Sequence, residues 1–329
     1  MDILRIGVIG AGVMGAAHAE SIARIPEAEL RAVADPHSAK AKELAEKYRA
    51  AALTDYLDLA HREDIDAVVV ASPTPFHFFQ ARAAIEAGKP VYIEVPMTRE
   101  REESDRLVEL ARERSVVVTA GHHHRAFLEM EEIRRQLQAG AVGKPGVIWL
   151  GRRTPHPQRW YSNFESSGGV AFDAMIHEFD FLLSCFGPVQ RIFCQGMQGR
   201  CSTENMDYAL AILRLESGAI AHIESSWSHY GQFLIDVEIA GDKGLIRYDN
   251  QESIPLKISM VDCASGARHY CNESPVSIPA CMKTMQDFVK AARGEGSNPI
   301  TAEEGRDAVR LAAAALESMK TKRPVTLRH

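Results

Sequence analysis

The chain has 329 residues, 46% of them hydrophobic and 25% charged, which excludes a disordered chain and suits about two domains at ~100–200 residues each. Its 38 Lys and Arg against 44 Asp and Glu leave a net charge of −6, the wrong sign for neutralising many phosphates, so nucleic acid is not an expected partner. No apolar run approaches the ~20 residues of a membrane span, and the first residues lack the basic and apolar regions of a signal peptide, so a cytoplasmic protein with no membrane contact is expected.

Taken in chain order, short apolar runs at Ile6–Ile9, Leu30–Ala34, Ala67–Ala71, Val91–Glu94 and Val116–Ala120 predict buried parallel strands. The segments between them carry helical spacing. In Ser38–Tyr48, for example, Ala41, Leu44, Ala45 and Tyr48 share one face. This alternation predicts an α/β fold with a parallel sheet and right-handed crossovers over residues 1–121. After Gly121 the pattern predicts a helix at Leu128–Gln138, a strand at Val147–Gly151, a proline-punctuated loop to Gly169 and a helix at Val170–Cys185. Five strands without intervening helices follow, at Val189–Gly196, Tyr208–Leu215, Ala219–Trp227, Phe233–Ala240 and Leu245–Tyr248. They predict a large, mostly antiparallel open sheet. Helices return at Val276–Ala292 and Ala302–Lys320, so residues 122–329 form the second expected domain.

The six cysteines, Cys185, Cys194, Cys201, Cys263, Cys271 and Cys281, form no Cys-x-x-Cys pair and read as reduced, mostly buried thiols. No structural metal is expected. The run His122-His123-His124 does not change this, because three consecutive residues seldom converge on one ion. His122 and His123 follow the fifth strand and are expected at the ligand-binding C-terminal edge of the sheet, where a substrate would sit.

Gly10-Ala11-Gly12-Val13-Met14-Gly15 joins the first strand to a helix. Gly10 permits the tight turn, Gly12 lets backbone approach a pyrophosphate, and Gly15 allows close helix–strand packing. Asp35 ends the second strand, where a carboxylate accepts hydrogen bonds from the adenosine ribose and repels a 2′-phosphate. NAD is therefore expected, with NADP as the alternative.

Asp173 and His177 are four residues apart, which on an unbroken helix puts both on one face, ~6 Å apart. A histidine suits the removal of a hydroxyl proton during hydride transfer, and an aspartate beside it binds a substrate hydroxyl. The preceding stretch Arg152-Arg153-Thr-Pro-His156-Pro-Gln-Arg159-Trp160-Tyr161 concentrates cationic and aromatic groups in an acidic chain. Arg153 and Arg159 suit an anionic substrate, with Trp160 and Tyr161 walling a ring; a solvated basic loop or a subunit contact is the other reading.

Further segments carry a resemblance. Ala71-Ser72-Pro73-Thr74-Pro75-Phe76-His77, the run from Ala84 to Pro96, Gly168-Gly169 through Asp173, His177 and Asp180, Glu224–Trp227, Ile239–Gly244 and Thr301–Gly305 resemble the glucose–fructose oxidoreductase, inositol dehydrogenase and rhizopine-catabolism (Gfo/Idh/MocA) family nearly end to end. The resemblance implies a Rossmann dinucleotide-binding domain and an α/β domain whose open sheet assembles a homodimer or homotetramer. It places NAD or NADP on the first domain, near Ser72, Thr74, His77, Glu94 and Pro96 as well as the glycine loop, and a small-molecule substrate in a cleft between the domains. It assigns acid/base work to His177 and Asp173. The implied reaction moves hydride between nicotinamide C4 and a carbinol carbon of a polyol, cyclitol, hydroxy acid or related ring. One departure stands out: the family's Glu-Lys-Pro reads Glu94-Val95-Pro96. An apolar residue there resembles the 4-carboxy-2-hydroxymuconate semialdehyde dehydrogenases, which act on an anionic hemiacetal. A catalytically altered NAD-binding regulator and an NAD-retaining glycosidase or lyase remain alternatives at this stage.

Overall fold

The computed structural model describes residues 3–157, 159–198, 206–251, 258–261, 268–271 and 278–327. In chain order the first elements are β1 (Leu4–Ile9), α1 (Val13–Ala23), β2 (Ala28–Ala34), α2 (Ser38–Lys47), β3 (Ala51–Leu53), α3 (Tyr56–Ala60), β4 (Ala67–Val70), α4 (His77–Glu86), β5 (Val91–Ile93), α5 (Arg101–Arg114) and β6 (Val118–Ala120). Then come α6 (Leu128–Gln138), β7 (Pro145–Arg153), α7 (Phe164–Ser167), α8 (Gly169–Asp173), α9 (Ile176–Phe186), β8 (Val189–Gln198), β9 (Met206–Leu215), β10 (Ile220–Ser226), β11 (Leu234–Gly241) and β12 (Leu245–Asp249). The chain ends through β13 (Ile258–Val261), β14 (Arg268–Cys271), α10 (Ala280–Ala292), α11 (Ala302–Thr321) and β15 (Val325–Thr326).

Packing divides the chain into two units. The first comprises Met1–Ala126, Glu165–Gly168 and Ala280–Ala313. Its six strands lie in the order β3-β2-β1-β4-β5-β6, all parallel. Strand order reverses between β1 and β4, which makes the C-terminal ends of those strands the ligand-binding edge of such a sheet. The strands are legible as uninterrupted apolar runs because helices cover both faces: every residue of β4 and β5 is buried.

A single cut after residue 121 does not describe this unit. The apolar face of α10 puts Met285, Phe288 and Val289 into the core around Ile6, Val8 and Tyr92. The segment before α11 pairs the edge of β6, where Ala120 N donates to Ile300 O at 3.1 Å and Asn298 Nδ2 to Val118 O at 2.7 Å. Helical periodicity shows that a helix has an apolar face but not which core receives it.

The second unit comprises Phe127–Phe164, Gly169–Pro279 and Ala314–His329. Its seven-stranded sheet runs β12-β11-β7-β10-β9-β8-β15. Only β7 and β10 pair in parallel; the other neighbours are antiparallel. One face buries Ile148, Leu150, Ala211, Leu213, Ala221, Ile223, Val237 and Ile239, with α8 packed on β9 and β10 and α9 on β7. On the other face Val147, Ile212, Ile220 and Leu245 are exposed.

The helix expected over Val170–Cys185 is two helices. Ala174 N and Met175 N both donate to Val170 O, at 3.2 and 3.0 Å, and α9 starts only at Ile176. Asp173 ends α8, so it and His177 do not share an unbroken helix and the one-face argument does not relate them. Val170, Ala171, Phe172, Ala174, Met175 and Ile176 are all buried, so packing around the break overrides regular spacing.

Cys194 is buried and Cys185 and Cys281 are partly so, all three as thiols outside any disulfide. Cys201, Cys263 and the Cys271 side chain lie outside the described residues. Among the described residues no helix is long and apolar enough to cross a membrane.

Candidate active site

The glycine loop leaves β1 and opens α1. Gly10 has φ +100°, and a Cβ there would sit 2.6 Å from Ala71 O, at the end of β4. A Cβ on Gly15 would collide with the Gly10 carbonyl oxygen. Around Gly12 the space is open, with nothing within 4 Å of a Cβ. No side chain among the described residues caps α1, whose N-cap is Gly12. Unencumbered backbone at the positive end of a helix is the receptor a pyrophosphate needs. Val13 projects into solvent beside it, 77% exposed, and Met14 packs partly against the sheet core.

Asp35 serves the loop as well as any ribose. Its Oδ2 accepts from Ala11 N at 2.9 Å and its Oδ1 from His37 N at 2.8 Å. His37 Nδ1 also lies 3.2 Å from Oδ1, so of the about four acceptor positions of a carboxylate roughly one remains open.

His77 bridges the loops that follow β4 and β5. Its Nδ1 lies 2.9 Å from Pro96 O and its Nε2 2.7 Å from Ser72 O. Burial pushes its pKa down against these carbonyls. With both nitrogens committed to backbone, His77 fixes the loops. Ser72 Oγ donates to Gln80 Oε1 at 2.7 Å, and Thr74 is buried in the turn that precedes α4. Pro96 follows a cis peptide bond from Val95.

Glu94 is 6% exposed, and its Oε1 lies 2.5 Å from His18 Nε2, a histidine with no exposed surface. Burial favours the neutral carboxyl, but the hydrogen bond and charge of His18 outweigh it and hold Glu94 below its ordinary range. Burial likewise opposes a charged His18, yet its bonds to Cys281 and Glu94 raise its pKa to about 10. His122 is fully buried and His123 partly so. Among the described residues no group of three or more His, Cys, Asp or Glu is arranged to hold a metal.

In the second unit Asp173 and His177 flank the α8–α9 break, both half-buried. Burial pushes the Asp173 carboxyl up to about 7, and the charge of Arg152 opposes that rise. Arg152 and Arg153 are the last residues of β7 and point to opposite faces. Arg152 is buried and donates to Glu178 Oε1 at 2.8 Å. Arg153 lies on the open face, donating to Asp236 Oδ2 at 2.5 Å and Glu224 Oε2 at 3.4 Å. Two carboxylates therefore pair with Arg153 on this face. Arg159 is exposed and takes φ 69°, a strained conformation for a non-glycine residue that is frequent at functional turns. Trp160 and Tyr161 stack, with ring centroids 3.9 Å apart.

Residues 4–122 match the oxidoreductase family with an NAD-binding Rossmann fold, and residues 130–247 match the GFO/IDH/MocA C-terminal domain. The chain belongs to the Gfo/Idh/MocA family. Across 98% of its length it is 28% identical to myo-inositol 2-dehydrogenase of Thermotoga maritima, covering 98% of that protein. It is 27% identical to the uncharacterized oxidoreductase YrbE of Bacillus subtilis, over 98% of the chain and 96% of that protein. A solved myo-inositol dehydrogenase of Corynebacterium glutamicum superposes with a TM-score of 0.84 at 28% identity, covering 99% of both chains. The family makes this protein an NAD-binding oxidoreductase acting on CH–OH groups, and the open cradle at Gly12 fits that cofactor.

Sequence reading missed three members of these clusters: His18, Arg152 as the inward arginine, and Glu178. Extending β7 by two residues would have separated Arg152 from Arg153 by strand alternation. His18 carries no local signal, because its partner Glu94 is 76 residues away.

Proposed function

We propose that this protein is an NAD-dependent dehydrogenase of a neutral cyclitol or closely related polyol. The carrying observation is the charge arrangement of the second unit: Arg153 is neutralised on the open sheet face, whereas Asp173 and His177 remain at the α8–α9 break. Such groups suit hydroxyls better than carboxylates. The relatives named as inositol dehydrogenases support the same class.

NAD, when held at the Gly10–Gly15 loop, would supply the hydride acceptor or donor. His177 takes the carbinol hydroxyl proton during oxidation and gives it back during reduction. Asp173, once ionised, accepts a substrate hydroxyl and stabilises the imidazolium. Val95 contributes no proton. A panel of inositols, sugars, hydroxy acids and semialdehydes, followed by the absorbance of reduced cofactor, tests the reading. Inositols should give the highest kcat/KM. Preference for a hydroxy acid or an anionic semialdehyde would defeat it, as would no net reduced NAD with any of them.

We also propose that the open sheet face is an oligomer interface, because Val147, Ile212, Ile220 and Leu245 leave an apolar stripe on it. Sedimentation should give a multiple of the monomer mass, and Ile212→Glu should shift it to monomer. A monomeric wild type would exclude the interface.

A further inference from the structure

Cys281, His18 and Glu94 form a constellation that hydride transfer does not use. The Cys281 sulfur lies 3.4 Å from His18 Nδ1, and His18 Nε2 lies 2.5 Å from Glu94 Oε1. Ser21 Oγ stands 3.8 Å from the same sulfur. The His18 ring is fully buried and held edge-on against Tyr92, with centroids 5.0 Å apart. The cluster thus has the order nucleophile, imidazolium, carboxylate, the arrangement that stabilises a thiolate. Cys281 is also the second residue of α10, where a helix N-terminus favours negative charge. Unlike its two partners it is only partly buried, so a small reagent can meet the sulfur.

We propose that Cys281 is an activated thiol, a modification site for small electrophiles and hydroperoxides, with the His18 imidazolium stabilising its thiolate and Glu94 holding the imidazole charged and oriented. The thiol proton passes to solvent, and His18 Nδ1–H donates to the thiolate. With hydrogen peroxide the sulfur attacks one oxygen, the S–O bond forms and the O–O bond breaks. Sulfur is oxidised to the sulfenic acid, and the departing hydroxide takes a proton from solvent and leaves as water. With iodoacetamide an S–C bond forms and iodide leaves.

The test is the rate of iodoacetamide labelling in the full-length folded protein at pH 7, resolved by peptide mass spectrometry, with the partly buried Cys185 as internal control. An ordinary thiol is only ~3% thiolate at that pH, so complete ionisation offers up to ~30-fold. Cys281 should label about tenfold faster than Cys185, within that limit. His18→Gln should remove most of the advantage and leave Cys185 unchanged. A merely structural His18 would not move the labelling rate. Equal rates at the two cysteines, or a Cys281 rate unaffected by His18→Gln, would overturn the proposal. If His18→Gln does not fold, the wild-type rates in buffer and in urea decide: faster labelling of Cys281 in the folded state supports activation, and slower labelling refutes it.

Discussion

Replacing His177 by Asn is expected to lower kcat for substrate oxidation by ~10²–10⁴, the range a positioned general base contributes, and to leave NAD affinity nearly unchanged. Residue 95, between Glu94 and Pro96, is Val, so that position cannot cover for a damaged histidine. Asp173 supplies the companion test. Burial pushes its carboxyl up to about 7 against the pull of Arg152, so it is neutral below that pH and ionised above it. On the proposed mechanism the ionised form would stabilise the imidazolium that forms as His177 takes the proton. The oxidation rate should therefore rise with pH through about 7, and Asp173→Asn should flatten that rise. Stability should move the other way. A carboxyl whose pKa is raised on folding binds its proton more tightly in the native state, so stability falls as pH climbs from the unfolded value of ~3.9 through the folded one. Wild-type Tm should drop relative to Asp173→Asn between about pH 4 and 7. A His177→Asn enzyme that keeps its kcat would place the base elsewhere, and a constant Tm difference would mean that Asp173 is not desolvated in the folded protein.

The parallel sheet was legible because its central strands are continuous apolar runs, and the glycine loop was legible because each glycine answers a steric demand within a few residues. β3 escaped because three half-exposed residues make no pattern. The second unit was harder. Spacing treats Val170–Cys185 as one helix, and only the burial of nearly everything around Ala174 and Met175 explains the break. Strand alternation separates Arg152 from Arg153 once β7 is known to reach Arg153. The His18–Glu94 and His18–Cys281 contacts span 76 and 263 residues, and no local pattern encodes them. Contacts of that range are decided by packing, which is also why the catalytic neighbourhood was read as residue types while its charge pairing was not.

Asp35 should set cofactor affinity in two separable ways. Its carboxylate clamps the glycine loop through Ala11 N at 2.9 Å, and the acceptor capacity that Ala11 and His37 leave suits the adenosine ribose. Asp35→Ala removes both. At ~1.5–3 kcal/mol for hydrogen bonds to a charged acceptor, Kd for NAD should rise roughly 10- to 150-fold. Asp35→Asn keeps a carbonyl oxygen for Ala11 N but loses the charge, so its NAD affinity should fall less. Both variants lose the repulsion of a 2′-phosphate, so both should bind NADP better relative to NAD. Neither should change kcat at saturating NAD, because the adenosine end is remote from the transferred hydride. Titration of each variant with NAD and NADP separates the two contributions: the loop clamp shows as the gap between Ala and Asn, and the charge as the change in NADP preference they share. A wild type that already prefers NADP, or an Asp35→Ala that binds NAD as tightly as the parent, would remove Asp35 from the ribose site.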